Sequence, residues 1–195
     1  SILATTFTRK AAAELRSRIL SWGDQIRQHL LKDPKYKDLH PQLRRLDFNQ
    51  IITGTLDSIS EDALRTHRDP GAPPPVVIEE FIASGLMLRI GLFNGEKHHD
   101  DDLREYLKEV RGTGWGLNTP EMARTILEIK DRLYYDQVYW DQLQETKDHH
   151  GFQLALESIA DYTDYLEDNL LYDFASLEAE FLDQLEKGKL EKFTS

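Results

Sequence analysis

The chain has 195 residues, 39% hydrophobic and 30% charged, a balance that suits a folded domain with a heavily charged surface. No run approaches the roughly 20 apolar residues that span a bilayer, so we predict no transmembrane segment, and Arg9 and Lys10 follow the apolar start too soon for a signal peptide. Cysteine is absent, which excludes disulfides, thiolate catalysis and cysteine-ligated zinc and favours a reducing, cytoplasmic compartment.

The net charge of −11 argues against nucleic-acid binding when it is taken as a sum. Its distribution changes that reading. Residues 1–68 contain 12 Lys and Arg against 8 Asp and Glu, a net of +4, whereas residues 69–195 contain 12 against 27, a net of −15. The basic N-terminal third is therefore the part suited to a polyanion.

The first predicted elements are a short buried strand over residues 2–7 and a helix from Thr8 to Ser21. Thr8 is the expected N-cap and Gly23-Asp24 the expected stop. The helix is indicated by apolar residues at helical spacing, namely Ala12, Leu15, Ile19 and Trp22. A polar helical piece over 25–32 and a basic, proline-containing stretch over 33–45 follow.

A second strand is predicted over residues 48–55 and a helix over 57–66. The proline-rich segment 69–75 is an expected linker, at the point where the chain becomes acidic. Six further helices are predicted over residues 78–88, 101–110, 120–133, 136–148, 152–169 and 173–185, the third capped by Thr119. Two of them carry apolar stripes, formed by Met122, Ile126, Ile129 and Leu133 and by Phe174, Leu177, Phe181 and Leu185. The expected fold class is mostly α with a small β component.

The chain opens in mid-strand without Met, and two strands are too few for an independent sheet. We therefore expect a fragment of a larger α/β protein.

The strongest local pattern is the stretch over residues 6–19, TFTRKAAAELRSRI, which predicts a strand end leading into a helix N-terminus. Unpaired N–H groups and the helix dipole favour anions there. Thr6 and Thr8 offer hydroxyls to a phosphate, and Phe7 could stack on an unpaired base, a contact that contributes about 1–3 kcal/mol. The alternative is an amphipathic helix packed on a sheet, with Phe7 in the core.

A second strand-to-helix junction, GTLDSI over residues 54–59, places Thr55 and Ser58 hydroxyls near exposed backbone donors. Alone it is weak evidence, because Asp57 and Ser58 are ordinary helix-capping residues.

Together these blocks resemble the UvrD/Rep/PcrA-like superfamily 1 DNA helicases. Motif Ia of that family reads approximately TFTxKAAxEMxxRI, which residues 6–19 match with Arg9 at the variable position and Leu15 for Met. The next DNA-contacting motif, approximately GTxHS, is matched by residues 54–58 except that Asp57 stands where His is usual. Residues 165–177 are similar to the segment containing DFxxL, which in the family precedes the DExQ motif.

The resemblance implies that residues 1–68 and 160–195 are parts of an incomplete RecA-like α/β domain, 1A, and that residues 69–159 form a helical inserted domain, 1B. It implies ATP-dependent 3′ to 5′ translocation on single-stranded DNA and separation of a duplex junction, in DNA repair, replication or recombination. The implied DNA contacts are Thr6, Phe7, Thr8, Arg9, Lys10, Gly54, Thr55, Asp57 and Ser58. Asp57 weakens the likeness, because a carboxylate repels phosphate where His could donate to it.

No GxxxxGK[ST] loop and no DExx carboxylate pair occurs in the sequence. We therefore expect no catalytic residue, cofactor or metal in these 195 residues and no activity of the isolated chain, whereas the full-length parent would use ATP and Mg²⁺.

Other groups of residues are weaker candidates. His98-His99-Asp100-Asp101-Asp102 contains metal-ligand types, but adjacent residues rarely point at one ion. His149-His150 is expected at a helix C-terminus. The aromatic cluster of Tyr134, Tyr135, Tyr139 and Trp140 is expected between helices because its surroundings are acidic, and Trp115 is expected to be exposed in a glycine loop.

Two alternatives stay open at the level of sequence. One is the helicase subunit of a nuclease complex of the AddA or RecB type, which shares motif Ia. The other is an acidic helical protein-interaction module without DNA binding, supported by the net charge of −15 over residues 69–195.

Overall fold

A computed structural model describes residues 2–138, 143 and 149–190. The chain divides into two compact units, residues 1–72 with 183–195 and residues 73–182. The described part is mostly helical with short strands in parallel pairs, which confirms the predicted class at that level. No helix in this part is both long enough and apolar enough to cross a membrane.

The first unit is built on a pair of parallel strands. Its elements are β1 (Leu3–Thr5), α1 (Arg9–Lys32), a 3₁₀ turn (Pro34–Leu39), α2 (His40–Arg45), a 3₁₀ turn (Phe48–Gln50), β2 (Ile52–Gly54) and α3 (Leu56–His67). The register pairs Leu3 with Ile52 and Thr5 with Gly54. Because the strands are parallel, the two strand-to-helix junctions lie at the same edge of the sheet.

Helix α1 is longer than predicted. It runs through Gly23 without a break, so the expected stop at Gly23-Asp24 is wrong. A Cβ on Gly23 would lie 2.9 Å from the ring of Phe48, which shows that this glycine admits a neighbouring side chain rather than ending the helix. The predicted apolar face holds for buried Ala12 but not for Trp22, which is 58% exposed.

Both strands are shorter than predicted, and the first is also less buried than predicted. Leu3 in β1 and Ile2 just before it are exposed, whereas a buried strand was expected over residues 2–7. The second strand was expected from Phe48, but residues 48–50 form a 3₁₀ turn capped by Asp47, whose carboxylate accepts the Asn49 N–H at 3.0 Å. This capping diverts the backbone from the extended form until Ile52.

The second unit is a helical cluster. Its elements are β3 (Val76–Val77), α4 (Glu80–Leu86), a π-helical turn (Met87–Leu92), a 3₁₀ segment (Asn94–His99), α5 (Asp101–Arg111), α6 (Thr119–Tyr135), α7 (His150–Asp168) and β4 (Leu171–Tyr172). Helix α8 (Phe174–Glu186) begins in this unit, which ends at residue 182. Strands β3 and β4 pair in parallel. The core is contiguous, and its members include Met87, Leu103, Leu107, Met122, Ile126, Ile159 and Tyr162.

Helices α5, α7 and α8 begin and end within two residues of the predicted bounds. The predicted helix over 78–88 is instead α4 followed by the π-helical turn, in which Gly91 lies against α7: an added Cβ would be 2.9 Å from the carbonyl oxygen of Ser158. The predicted helix over 136–148 does not begin at residue 136, because residues 136–138 form a turn after α6; residues 139–142 and 144–148 lie outside the described residues. Of the two apolar stripes, Met122, Ile126, Leu177 and Phe181 are buried, but Phe174 is 40% exposed.

Two predicted helix ends need correction. Asn118, not Thr119, caps α6: its side chain accepts the Glu121 N–H at 2.9 Å, and Glu121 accepts the Asn118 N–H at 2.9 Å, forming a capping box. His149-His150 lies at the start of α7 rather than at a helix C-terminus. Gly151 permits this start, because a Cβ there would be 2.2 Å from the carbonyl oxygen of Asp102.

Candidate nucleic-acid interface

The predicted DNA-contact residues fall on the two junctions that parallel pairing brings to one edge. The pairing continues past β1, since the Thr6 N–H donates to the Gly54 carbonyl at 3.0 Å. Residues 6–10 and residues 54–58 therefore lie next to each other, although 43 positions separate them in the sequence. The N-termini of α1 and α3 both begin at this edge.

Threonine hydroxyls shape the first junction. Thr8 is the N-cap of α1, with extended backbone, and its Oγ1 accepts the Ala11 N–H at 3.2 Å. Thr6 Oγ1 donates to the Thr8 carbonyl at 3.1 Å, which fixes the turn between strand and helix. The amides of Arg9 and Lys10 precede the first intrahelical bonds, so they are oriented toward whatever lies in front of the helix.

Phe7 projects from this turn into solvent. It is fully exposed, with a relative accessibility of 104%, so the alternative that placed its ring in the core is wrong. Arg9 and Lys10, which follow it, are also exposed. An exposed aromatic ring beside two cations and a helix N-terminus offers one surface for a base and another for a phosphate.

The second junction turns its hydroxyls inward. Thr55 is buried, and its Oγ1 accepts the Ser58 N–H at 3.3 Å and donates to Ser58 Oγ at 3.0 Å. Ser58 Oγ in turn donates to the Thr55 carbonyl at 2.9 Å. Gly54 completes this packing, since a Cβ there would be 2.7 Å from Ser58 Oγ and 2.9 Å from Ile59 Cγ1.

Two side chains set the charge near the second junction. Asp57 lies in the first turn of α3, where its carboxylate complements the helix dipole but opposes an incoming phosphate. Arg16, which the sequence reasoning did not select, reaches from α1 to β2, with its Nη1 3.5 Å from Thr53 Oγ1. Arg16 could have been selected from the sequence, because it lies two helical turns after Arg9 and therefore on the same face of α1.

The DFxxL-like segment contributes Asp173 to a buried ion pair with Lys130 of α6 in the second unit. The Lys130 ammonium is fully buried and pairs with the Asp173 carboxylate, which also accepts the Tyr162 hydroxyl proton at 2.9 Å. Asp173 further caps α8 by accepting the Ser176 N–H at 3.0 Å. Burial opposes ionisation of Asp173, but Lys130 and these hydrogen bonds outweigh burial and hold the pKa of Asp173 below its usual value.

The aromatic cluster is only partly described, because Tyr139 and Trp140 lie outside the described residues. Tyr134 is half-buried with its ring centroid 5.1 Å from Lys130 Nζ, and burial raises its pKa to about 12. Tyr135 is exposed, which contradicts an interhelical position for it, whereas Trp115 is 85% exposed in its glycine loop, as predicted.

The acidic-histidine stretch does not gather around one point. The ring of His98 meets that of Phe93 edge to face and lies tilted against that of His99. Asp100 and Asp102 instead approach His150, with one potential ligand atom of each residue within 4.8 Å of the others. Both α5 and α7 begin here, and the positive ends of two helix dipoles disfavour a cation.

No curated protein and no solved structure matches this chain. A family model does match: that of the UvrD/REP helicase N-terminal domain, over residues 1–194. Since this match covers nearly the whole chain, the protein belongs to the UvrD/REP helicase N-terminal domain family.

Proposed function

We propose that this chain is part of an ATP-dependent DNA helicase that moves 3′ to 5′ and that its first unit contacts single-stranded DNA through the paired junctions. The observation that carries the proposal is the parallel pairing of β1 and β2, which sets fully exposed Phe7 at the same edge as both helix N-termini. Membership of the helicase family supports the choice of DNA over other polyanions.

The proposed contacts divide by chemistry. Phe7 would stack on a base, Arg9 and Lys10 would neutralise phosphate, and Thr6 and Thr8 would hold the turn that presents them. At the second junction Gly54, Thr55 and Ser58 would position the start of α3, whose first amides face the same edge. Asp57 would weaken phosphate binding there.

We also propose the domain assignment that the family suggests. Residues 1–68 and 160–195 would belong to RecA-like domain 1A, and residues 69–159 would form inserted domain 1B. The residues present do not fit ATP or Mg²⁺, because the chain has neither a GxxxxGK[ST] loop nor a DExQ motif.

The test is Phe7→Ala in the intact protein. Loss of one base–aromatic contact of about 1–3 kcal/mol weakens single-stranded DNA binding roughly 5- to 150-fold, and DNA-stimulated ATP hydrolysis should fall at subsaturating DNA. Phe81→Ala is the matched control, since Phe81 is 87% exposed but lies in the other unit. Unchanged DNA affinity and stimulation in Phe7→Ala would refute the assignment of Phe7.

A further inference from the structure

A second basic surface lies at the far end of α1. It consists of five exposed cations, Lys32, Lys35, Lys37, Arg44 and Arg45, which we call the 32–45 surface. Residues 32–45 hold these five against Asp33 and Asp38, a net of +3. The whole chain carries −11, so all other residues together carry −14. Positive charge is therefore concentrated at residues 32–45 in a chain that is otherwise strongly acidic.

The fold brings these cations together. The end of α1, the 3₁₀ turn Pro34–Leu39 and α2 pack on one another within the first unit. Leu43 is the buried residue of α2, which leaves Arg44 and Arg45 exposed. Lys35 Nζ lies 5.8 Å from the ring centroid of Tyr36, so an aromatic ring lies within the same surface.

The five cations also form no salt bridge with the acidic residues that the structure describes. Elsewhere in this unit Arg18, Arg27 and Arg65 pair with carboxylates on their own helices. Among the described residues, no carboxylate forms a salt bridge with any member of the 32–45 surface. The carboxylate of Asp33 is instead engaged with the backbone, accepting the Lys35 N–H at 2.9 Å.

Helix-dipole stabilisation explains only part of this arrangement. Four of the five cations lie in the last turns of α1, the 3₁₀ segment and α2, where a cation stabilises a helix end: Lys32, Lys37, Arg44 and Arg45. Lys35 lies in the first turn of its 3₁₀ segment, where the dipole disfavours a cation. Unpaired, exposed cations with an aromatic ring among them are typical of a surface that binds a phosphate backbone.

We propose that the 32–45 surface binds the phosphodiester backbone of DNA as a second contact, separate from the junctions at Phe7. The 24 residues of α1 separate the two places by about 36 Å. That span corresponds to about ten phosphates along one strand of B-form DNA. The 32–45 surface includes none of residues 6–10 and 54–58, so its contribution to DNA binding can be tested separately from theirs.

The test measures how DNA affinity depends on salt in the intact protein. The variant Lys35→Gln, Lys37→Gln, Arg44→Gln and Arg45→Gln removes four cations while leaving Lys32 at the end of α1. Titrations use a fluorescent 20-base-pair duplex and the corresponding single strand. Loss of four phosphate contacts lowers the slope of log affinity against log salt by about 3 to 4. A drop on either DNA supports the surface and identifies the form that it binds; no drop on either overturns it.

Two controls separate the surface from net charge and from misfolding. Arg124→Gln, Arg132→Gln, Lys187→Gln and Lys189→Gln changes the charge equally at other exposed positions and should leave the slope within about one unit of the original. An equal drop in both variants would mean a general charge effect and overturn the proposal.

Exchanging Lys35 and Lys37 for Arg, and Arg44 and Arg45 for Lys, keeps the charge and should preserve the slope. Phe7→Ala should reduce affinity without changing the slope, so failure of the junction and failure of this surface are distinguishable.

Discussion

Replacing Lys130 by Met should destabilise the second unit more than any change of a surface charge. Lys130 is fully buried, and its ammonium pairs with Asp173 and lies 3.0 Å from Asp131. Met retains the volume and packing but leaves the Asp173 carboxylate, itself buried, without a cation. Breaking one side of a buried pair costs about 3–5 kcal/mol, which corresponds to a fall in Tm of about 6–20 °C for a protein of this size.

Thermal unfolding followed by far-UV circular dichroism measures this effect, and α6 supplies its own control. Arg132 lies two residues further along α6 and pairs with Asp136 at 2.7 Å on the surface, with its side chain 75% exposed. Arg132→Met should cost no more than about 1 kcal/mol. If Lys130→Met lowers Tm no more than Arg132→Met does, the energetic role assigned to the buried pair is wrong.

The pH dependence of stability gives a second test of the same pair, because acid should affect the native protein and Lys130→Met in opposite directions. In the native protein the pKa of Asp173 lies below 3.8, so its contribution is complete above that value and is lost as pH falls below it. In Lys130→Met, burial without the cation raises the pKa of Asp173, and proton uptake then favours the folded state. Lowering the pH from 7 to 5 should therefore stabilise the variant relative to the native protein, and adding Asp173→Asn should recover stability at pH 7.

Three smaller predictions test the junctions and the aromatic residues. Gly54→Ala should lower the free energy of unfolding by about 1–3 kcal/mol, because its Cβ would be 2.7 Å from Ser58 Oγ, whereas Gly85→Ala, with open space around it, should not destabilise the protein; urea denaturation compares the two. Asp57→Asn should strengthen DNA binding a few-fold in fluorescence anisotropy and cost about 0.5 kcal/mol of stability through the helix dipole. Burial raises the pKa of Tyr134 from 10 to about 12, so its neutral hydroxyl contributes fully to stability below pH 10 and loses that contribution as the pH rises toward 12. Tyr134→Phe cannot ionise, so its free energy of unfolding in urea should fall less than that of the native protein between pH 10 and pH 12.

Helical periodicity predicted the second unit well because its helices are amphipathic and locally capped. Met122 and Ile126 recur at the spacing of one helix face, and both are buried. Pro120 lies in the first turn of α6, as expected, but the cap is one residue earlier because Asn118 and Glu121 form a reciprocal pair. Such errors of one residue arise where two adjacent side chains can each act as a cap.

The failures lie where tertiary contacts override local preference. Gly23 has a low helix propensity, yet it remains within α1 because the ring of Phe48 packs against it, a contact that local sequence does not reveal. Lys130 was not singled out from the sequence, because a lysine beside an apolar stripe ordinarily buries only its aliphatic stem and keeps its ammonium in water. Its partner Asp173 is 43 residues away, so the pair could not be identified without the fold.

The two blocks of the candidate DNA surface, residues 6–10 and 54–58, could be identified from the sequence. Which of their side chains face solvent and which hold the backbone could not. At residues 6–10 the hydrogen bonds of Thr6 and Thr8 hold the backbone, so the side chains of Phe7, Arg9 and Lys10 face solvent. At residues 54–58 the hydroxyls of Thr55 and Ser58 bond to each other and to their own backbone.

We therefore expect the two blocks to respond differently to substitution. Changes at Phe7, Arg9 or Lys10 should lower DNA affinity with little effect on stability, because exposed side chains contribute little to folding. Changes at Gly54 or Thr55 should lower stability first, and DNA affinity through the displaced start of α3. A sequence match treats the blocks as equivalent contacts, whereas their hydrogen bonding leaves the side chains of Phe7, Arg9 and Lys10 exposed and uses those of Thr55 and Ser58 to hold the start of α3.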